Sequence, residues 1–331
     1  SIEYRLSLQH ADGTKEHFSQ NNIKAWHKDI LQETDFDALY NSEEEARGDA
    51  ENFKNYIKKD TDEVIGESIT VTLQPQISFV LMDQATGEVK AISGGRGAKT
   101  ANLTLNRATN VPRQPGSTFK VISSFAPALD TCGATLGSVY YDAPYTVGTK
   151  TFRNWYSGGY QGYSSIRDGI IYSMNIVAVR CMMETVTPQL GMEYAKNFGI
   201  TTLTSSDYNA ATALGGLTEG VTNLELTSAF ATIANQGMYT EPIFFTKIID
   251  RNGKVLINNE PATRRVLKDS TAFLLTDALK DSMIGNRKFA RPGAGPGSTS
   301  TRAKLENMSC AGKSGTTTGN NDIWFVGFTP Y

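Results

Sequence analysis

The chain is expected to fold as an α+β protein, a mostly antiparallel sheet flanked by helices, preceded by a small α+β region. Three observations carry that expectation: apolar strands that return on themselves through tight turns, helices between them with caps written in the sequence, and a change of texture near residue 76. A length of 331 residues suits about two domains. We read a linker or appendage over 1–75 and a larger domain over 76–331.

In the first region Ile2, Tyr4, Leu6 and Leu8 alternate with polar residues as a strand, and Asp12-Gly13 is a turn signal. Residues 42–59 are a charged stretch, with Glu43, Glu44 and Glu45 near its start and Lys58 and Lys59 near its end. From residue 76 the texture tightens. Residues 77–82 form an apolar strand, Thr86-Gly87 closes a turn and 89–92 returns before Gly94-Gly95, which together read as a β-hairpin. Asn252-Gly253 signals a second hairpin between 244–249 and 255–257, and 322–328 is a further strand after the Gly-rich turn that follows Thr318. Strands that pair locally favour an antiparallel sheet over a doubly wound parallel one.

Between them, Thr222-Asn-Leu-Glu225 is a capping box ahead of Leu226, Ala229, Phe230 and Ile233, with Gly237 as the stop. Asp269 opens a second helix that ends near Gly285. A third begins at Ser117 and runs through Val121, Ile122 and Phe125, apolar enough to be buried on most sides. Residues 286–312, with Pro292, Gly293, Gly295, Pro296 and Gly297, are expected to be a flexible connection.

Composition removes several functions. Lys plus Arg is 32 against 34 for Asp plus Glu, a formal charge of −2, so nothing general attracts nucleic acid or an anionic membrane surface. Cys132, Cys181 and Cys310 are too few and too scattered for a disulfide framework or a zinc cluster, and read as small buried apolar residues. No metal and no cofactor are called for. His10, His17 and His27 lack ligand spacing and read as surface residues; the rest of the chain has no imidazole, which excludes a His-based triad there. No apolar run approaches the ~18–20 residues that span a bilayer.

The chemistry gathers around Ser117. Arg113-Gln-Pro-Gly116 sets a turn that delivers Ser117 into the first turn of the apolar helix, and the i to i+3 spacing puts Lys120 on the same face, within reach. With no histidine at hand, a desolvated lysine or one beside a second cation is neutral enough to act as base. Alone, Ser117-Thr-Phe-Lys120 could equally be a polar N-cap with a snorkelling lysine. Ser173-Met-Asn175 interrupts an apolar helical stretch, so two polar side chains project from a helix junction; singly, either would pass as an N-cap. Lys313-Ser-Gly-Thr316 opens a strand in which Gly315 permits close backbone approach, and alternation sends Lys313 and Gly315 to one face, Ser314 and Thr316 to the other. An edge strand with a gatekeeper lysine would look the same.

The ordered set, S-x-x-K, then S-x-N, then K-[ST]-G on a late strand, resembles that of penicillin-binding proteins and class A β-lactamases. Over about residues 77–331 the chain is similar to the transpeptidase domain of a class A penicillin-binding protein, through Arg107-Ala-Thr, Arg113-Gln-Pro-Gly-Ser-Thr-Phe-Lys120, Ser165-Ile-Arg167, Ala213-Leu-Gly-Gly216, Glu219-Gly-Val-Thr222, Ala311-Gly-Lys-Ser-Gly-Thr-Thr317 and Trp324-Phe-Val-Gly-Phe-Thr-Pro330. The resemblance implies a penicillin-binding/serine β-lactamase-like fold and a D,D-transpeptidase that cross-links peptidoglycan stem peptides and is acylated by β-lactam antibiotics, at the extracytoplasmic face of the bacterial membrane. It implies roles too: Ser117 as nucleophile, Lys120 as base, Ser173 as proton relay, Asn175 on the substrate amide and Lys313 as positive potential. Thr316 and Thr318 would hold the terminal carboxylate, Ser314 and Gly315 belong to the substrate-binding strand, and Trp155 and Tyr160 would line the cleft.

Members of this class usually carry a membrane anchor and a glycosyltransferase domain ahead of the transpeptidase, and a further strand and closing helix after the position of Tyr331, so the chain is expected to be part of a larger protein. Two other readings share the scaffold. A class A β-lactamase needs a deacylating glutamate in an E-x-x-L-N context, and none follows Ser173; a silent wall-binding module would not need the intact Ser117, Lys120, Ser173, Asn175 and Lys313.

Overall fold

The computed structural model describes residues 1–97, 99, 101–157, 159–285 and 297–331. It divides into two compact units, Ser1–Gln76 with Arg96–Thr100, and Ile77–Gly95 with Ala101–Tyr331.

In the first unit the strand Ile2–Gln9 lies between Lys15–Ser19 and Glu63–Val71, antiparallel to both. Its alternation buries Ile2, Tyr4, Leu6 and Leu8 on one face, against Ile23 of the helix Gln20–Asp29 and Ala46, Ala50 and Phe53 of the helix Glu43–Ile57. Ser42 caps the second helix, whose first turn is Glu43, Glu44 and Glu45, so hydroxyl and charge both satisfy the exposed N–H groups there.

His27 corrects the surface assignment, His10 is partly buried, and His17 bears the assignment out. His27 is only 6% exposed; its ring stacks on Phe36 at 3.6 Å, and its two nitrogens meet Glu33 and Asp49, each at 2.9 Å. His10 contacts Asp62 and Glu16, which hold its pKa above the ordinary value, the hydrogen bond it donates to Asp62 first. His17 is exposed and meets Ser7 Oγ. The acidic partners of His27 are 6 and 22 residues away, so the fold alone creates the pairing.

The second unit is antiparallel, but among the described residues its strands pair as separate two-stranded ladders rather than one continuous sheet. Phe79–Met82 pairs with Val89–Ser93 and Lys247–Ile249 with Val255–Asn258, the two hairpins expected, and the expected late strand, Ile323–Phe328, pairs with Ala311–Thr316. Three more ladders join Val139–Asp142 to Gly162–Ser165, Tyr145–Val147 to Lys150–Phe152, and Met238–Thr240 to Thr263–Arg265. The helices Asn223–Ala234 and Asp269–Ile284 carry the expected ends: a capping box at Thr222 and a left-handed Gly285. Both contribute to one core with Phe119, Ile122, Phe125, Ile166, Val177, Met182 and Phe198. Among the described residues no helix is long and apolar enough to cross a membrane.

The helix expected from Ser117 is segmented: a 3-10 turn over Gly116–Thr118, a π-type turn over Val121–Phe125 and a short α-helix over Ala126–Asp130. Pro127 has no N–H to donate to Ser123, and its ring crowds that carbonyl, so the ladder widens to i→i+5; Ser123 Oγ also bonds back to Phe119 O at 2.9 Å. Of the connection expected over 286–312, residues 286–296 lie outside the described residues, and the part from residue 297 is pinned rather than loose. Ser300 is buried and accepts Ser314 N–H at 3.2 Å, and Ser298 Oγ bonds to Ser282 O. Of the cysteines only Cys181 is fully buried, where burial pushes its thiol up to about 12; Cys132 and Cys310 are partly exposed.

Replacing His27 leaves Asp49 and Glu33 without their shared buried partner. His27→Ala should lower the opening free energy of the first unit by about 2 kcal/mol or more, the cost of breaking buried hydrogen bonds to charged groups. Hydrogen exchange of the amides in Gln20–Asp29 measures it; unchanged protection would remove the imidazole from the unit's stability.

Candidate active site

The turn before Ser117 is anchored on two sides. Arg113 exchanges backbone hydrogen bonds with Val221 at 2.9 and 2.8 Å and meets Asp322 at 2.6 Å through its side chain; Gln114 Nε2 donates to Leu217 O, and Trp324 Nε1 to Gln114 O, both at 2.9 Å. Gly116 follows with φ of +55°, and a Cβ there would stand 2.7 Å from Thr316 O. A Cβ on Gly315 would collide with Pro115 O and approach Thr118 N to 3.2 Å. Only glycines allow these backbones so close. The partly exposed Ser117 therefore sits between two residues that press on the strand Ala311–Thr316.

Beneath it lie two lysines, Lys120 and Lys313, both 0% exposed. Ser173 joins them: its Oγ accepts from Lys120 Nζ at 3.2 Å and from Lys313 Nζ at 3.0 Å. Lys120 also donates to Ser173 O at 2.6 Å and Asn175 Oδ1 at 2.7 Å, and Lys313 to Ser314 O at 2.9 Å. Ser173 breaks the helical stretch between Ile166–Ile171 and Asn175–Arg180 with φ of +53°, a left-handed conformation strained for a residue with a Cβ. That break turns Ser173 Oγ and O and the Asn175 side chain toward Lys120.

Burial disfavours the charged form of each lysine. Lys120 is held well below its ordinary value, by desolvation first and then by the nearby Lys313; desolvation brings Lys313 down to about 7. Burial rules out a solvent-facing gatekeeper at Lys313. Among the described residues, no carboxylate hydrogen-bonds to either ammonium or to Ser173.

The structure thus brings Lys120, Ser173, Asn175 and Lys313 into one hydrogen-bonded cluster, with Gly315 and Thr316 against the Ser117 turn. Ser117 Oγ is not among the hydrogen-bond partners of Lys120, all three of whose donors go to Ser173 and Asn175. On the outer edge of Ala311–Thr316, Ser314 N–H meets Ser300; by alternation Thr316 N–H lies on that edge too, beside Gly116. Thr318 is exposed and, with Thr317, Arg113 and Glu219, lines a polar cleft of about 520 Å³. Trp155 Nε1 donates to Tyr172 O at 3.1 Å, next to Ser173, while the indole is half exposed; Tyr160 is exposed, and no contact ties it to the cluster.

Sequence reasoning passed over several residues that support the cluster. Ser282 Oγ donates to Gly312 O at 2.6 Å, Thr299 Oγ1 meets Ser314 Oγ at 2.5 Å, and Asn154 Oδ1 accepts from Asn175 N at 2.9 Å. None carries a motif; the run Ser298-Thr-Ser-Thr301 ahead of the Lys313 strand was the one visible signal. No group of His, Cys, Asp and Glu among the described residues is arranged to hold a metal.

A serine presented at a turn, backbone donors beside it and two desolvated lysines joined through a second serine make up a histidine-free polar cluster. Residues 77–331 match the family model of the penicillin binding protein transpeptidase domain, and the chain belongs to that family. It is 34% identical over 273 residues to penicillin-binding protein 1A of Clostridium tetani, covering 78% of this chain and 33% of that protein. It therefore spans about a third of the length of such curated relatives. Among solved structures it is similar to the penicillin-binding protein PonA1 from Mycobacterium tuberculosis, with a TM-score of 0.62 and 26% identity, covering 76% of this chain and 64% of that one. Penicillin-binding protein A of M. tuberculosis, in an imipenem acyl-enzyme complex, shares the fold with a TM-score of 0.55 and 24% identity over 68% of this chain and 53% of that one.

The two lysines make stability depend on pH in a definite sense. Their folded pKa values lie below the ordinary 10.5, so between about pH 7 and 10 the unfolded chain binds more protons and the unfolding free energy rises with pH. In Lys313→Met this rise should flatten. Urea unfolding at several pH values reads the slopes; equal slopes would mean that Lys313 is not held neutral by burial.

Proposed function

We propose that the chain is a serine-type D,D-transpeptidase that cross-links peptidoglycan stem peptides through an acyl-enzyme on Ser117, and that β-lactams acylate the same serine. The observation that carries this reading is the bridge of Ser173 Oγ between the buried Lys120 and Lys313 beneath the Ser117 turn. Ser117 Oγ attacks the carbonyl of the penultimate D-Ala, and its proton passes to neutral Lys120. The oxyanion is held by the N–H groups of Ser117 and Thr316, a pair of donors worth several kcal/mol when aimed at developing charge. As the C–N bond breaks, Ser173 hands a proton to the leaving amine and regains one from the lysines. An acceptor amine then attacks the ester, forming the new amide and returning the proton to Ser117.

Lys313 supplies positive potential for the terminal carboxylate, which Ser314, Thr316 and Thr318 bind; Asn175 meets the donor amide, Gly315 lets the ligand backbone approach, and Trp155 and Tyr160 border the cleft. Such work belongs at the extracytoplasmic face of the bacterial membrane. The β-lactamase alternative finds no support in the cluster, since among the described residues no carboxylate hydrogen-bonds to it that could activate water against the ester.

Penicillin should add one covalent mass to Ser117, lost only over many minutes to hours, and Ser117→Ala should abolish it; intact-mass spectrometry checks both. Turnover at or above the roughly 10 s⁻¹ typical of enzymes would make the chain a β-lactamase instead. Lys120→Ala should cost at least about a hundredfold in acylation rate. The pH profile should be bell-shaped for an anionic β-lactam: the rate rises as Lys120 deprotonates and falls as Lys313 loses its charge, from about 7 upward. A flat profile would remove both lysines from the mechanism.

A further inference from the structure

The Asn175 carboxamide is held at both ends: Nδ2 donates to Arg153 O at 2.9 Å, and Oδ1 accepts from Lys120 Nζ at 2.7 Å. Its backbone is held by the next residue of the same segment. Asn154 Oδ1 accepts from Asn175 N–H at 2.9 Å and Ile176 N–H at 3.2 Å, two of the unpaired donors at the start of Asn175–Arg180. Met174, which precedes that helix, makes no side-chain cap, so Asn154 supplies the cap from a distant part of the chain.

What orients Asn154 is a buried charge. Asp142, 1% exposed at the end of Val139–Asp142, accepts from Asn154 Nδ2 at 2.7 Å and Gln161 N–H at 2.8 Å, with the Tyr156 hydroxyl at 3.4 Å. A carboxylate only accepts hydrogen bonds, so the Asn154 amide must turn its NH₂ to Asp142 and its oxygen to the helix. One chain of oriented bonds then runs from Asp142 through Asn154 and Asn175 to Lys120, with no alternative direction at any link.

We propose that Asp142 and Asn154 are positioning residues for Lys120, fixing the Asn175 carboxamide so that its oxygen aims the lysine nitrogen during acylation. Neither touches the reacting atoms; they act through the helix start. The assignment rests on reading Lys120 as the base for Ser117. Lys120 faces Ser173 and Asn175 from the helix junction and Lys313 from the strand. The Asn175 oxygen is thus one of few groups favouring its charged form, and losing it should make the lysine easier to deprotonate while leaving it poorly aimed.

The test is the rate of Ser117 acylation by a fluorescent penicillin, followed against pH in Asn154→Ala, Asp142→Ala and the double variant. Each single variant should lose about ten- to a hundredfold at the plateau, the cost of misplacing a catalytic group by about 1 Å. The acid limb should move to lower pH, and the double variant should lose no more than the worse single one. Asp142→Asn keeps an acceptor oxygen and should recover most of the rate. Parent rates in Asn154→Ala, or a fall with the acid limb unmoved, would overturn the proposal, the second leaving only a structural role. A ¹³C NMR titration of Lys120 Cε in parent and Asn154→Ala reads the same shift without turnover. If penicillin fails to label the parent, the transpeptidase reading falls, and the titration still decides whether the chain of bonds reaches the lysine.

Discussion

Two cations are buried side by side around one hydroxyl, and the rest of the second unit is organised by that constraint. Desolvation and mutual repulsion act on Lys120 together, so the pair sheds charge far more readily than lysines in water. What remains charged must be met by oxygens, and the fold supplies them from both sides: Ser173 and Asn175 from a broken helix, Ser314 O from a strand. The left-handed φ at Ser173 follows from this demand, because an unbroken helix would use the Ser173 carbonyl in its own ladder and could not offer it to an ammonium.

Holding that cluster beside the Ser117 turn requires backbones to meet without side chains between them. Gly116 and Gly315 do this where the serine turn lies on the strand, while Arg113 and Gln114 tie the turn to Val221, Leu217 and Asp322. Pro127 plays a quieter part. The widened turn it forces lies within the apolar segment that carries Lys120 into the core, where Val121–Phe125 packs with the helices Pro188–Asn197 and Asn175–Arg180.

What was legible in the sequence divides along a physical line. Local signals held: the alternation of Ile2 to Leu8, the capping box at Thr222, the left-handed Gly285 and the two hairpins at Thr86-Gly87 and Asn252-Gly253 all depend on residues a few positions apart. Ser117, Lys120, Ser173, Asn175 and Lys313 were legible because their polar side chains interrupt apolar stretches or follow a family's spacing. Long-range pairings were not. The partners of His27, the grip of Asn154 on Asn175 and the hold of Ser282 and Ser300 on the Lys313 strand join residues between 6 and 30 positions apart, with no motif to pair them. The unbroken helix after Ser117 failed for a local reason, a proline whose missing donor lies four residues downstream of the carbonyl it leaves free.

The serine hydroxyls along the outer edge of Ala311–Thr316 have a consequence for how the molecule behaves in company. An open strand edge is a template for another chain, and glycine-containing strands with little side-chain bulk are poor at refusing one. Here the Gly312 carbonyl is occupied by Ser282, the Ser314 N–H by Ser300 and the Ser314 carbonyl by Lys313. A foreign strand would have to displace three hydrogen bonds, two of them made by buried hydroxyls, before it gained any of its own. The edge beside the Ser117 turn is thus guarded against the indiscriminate pairing that leads to aggregation.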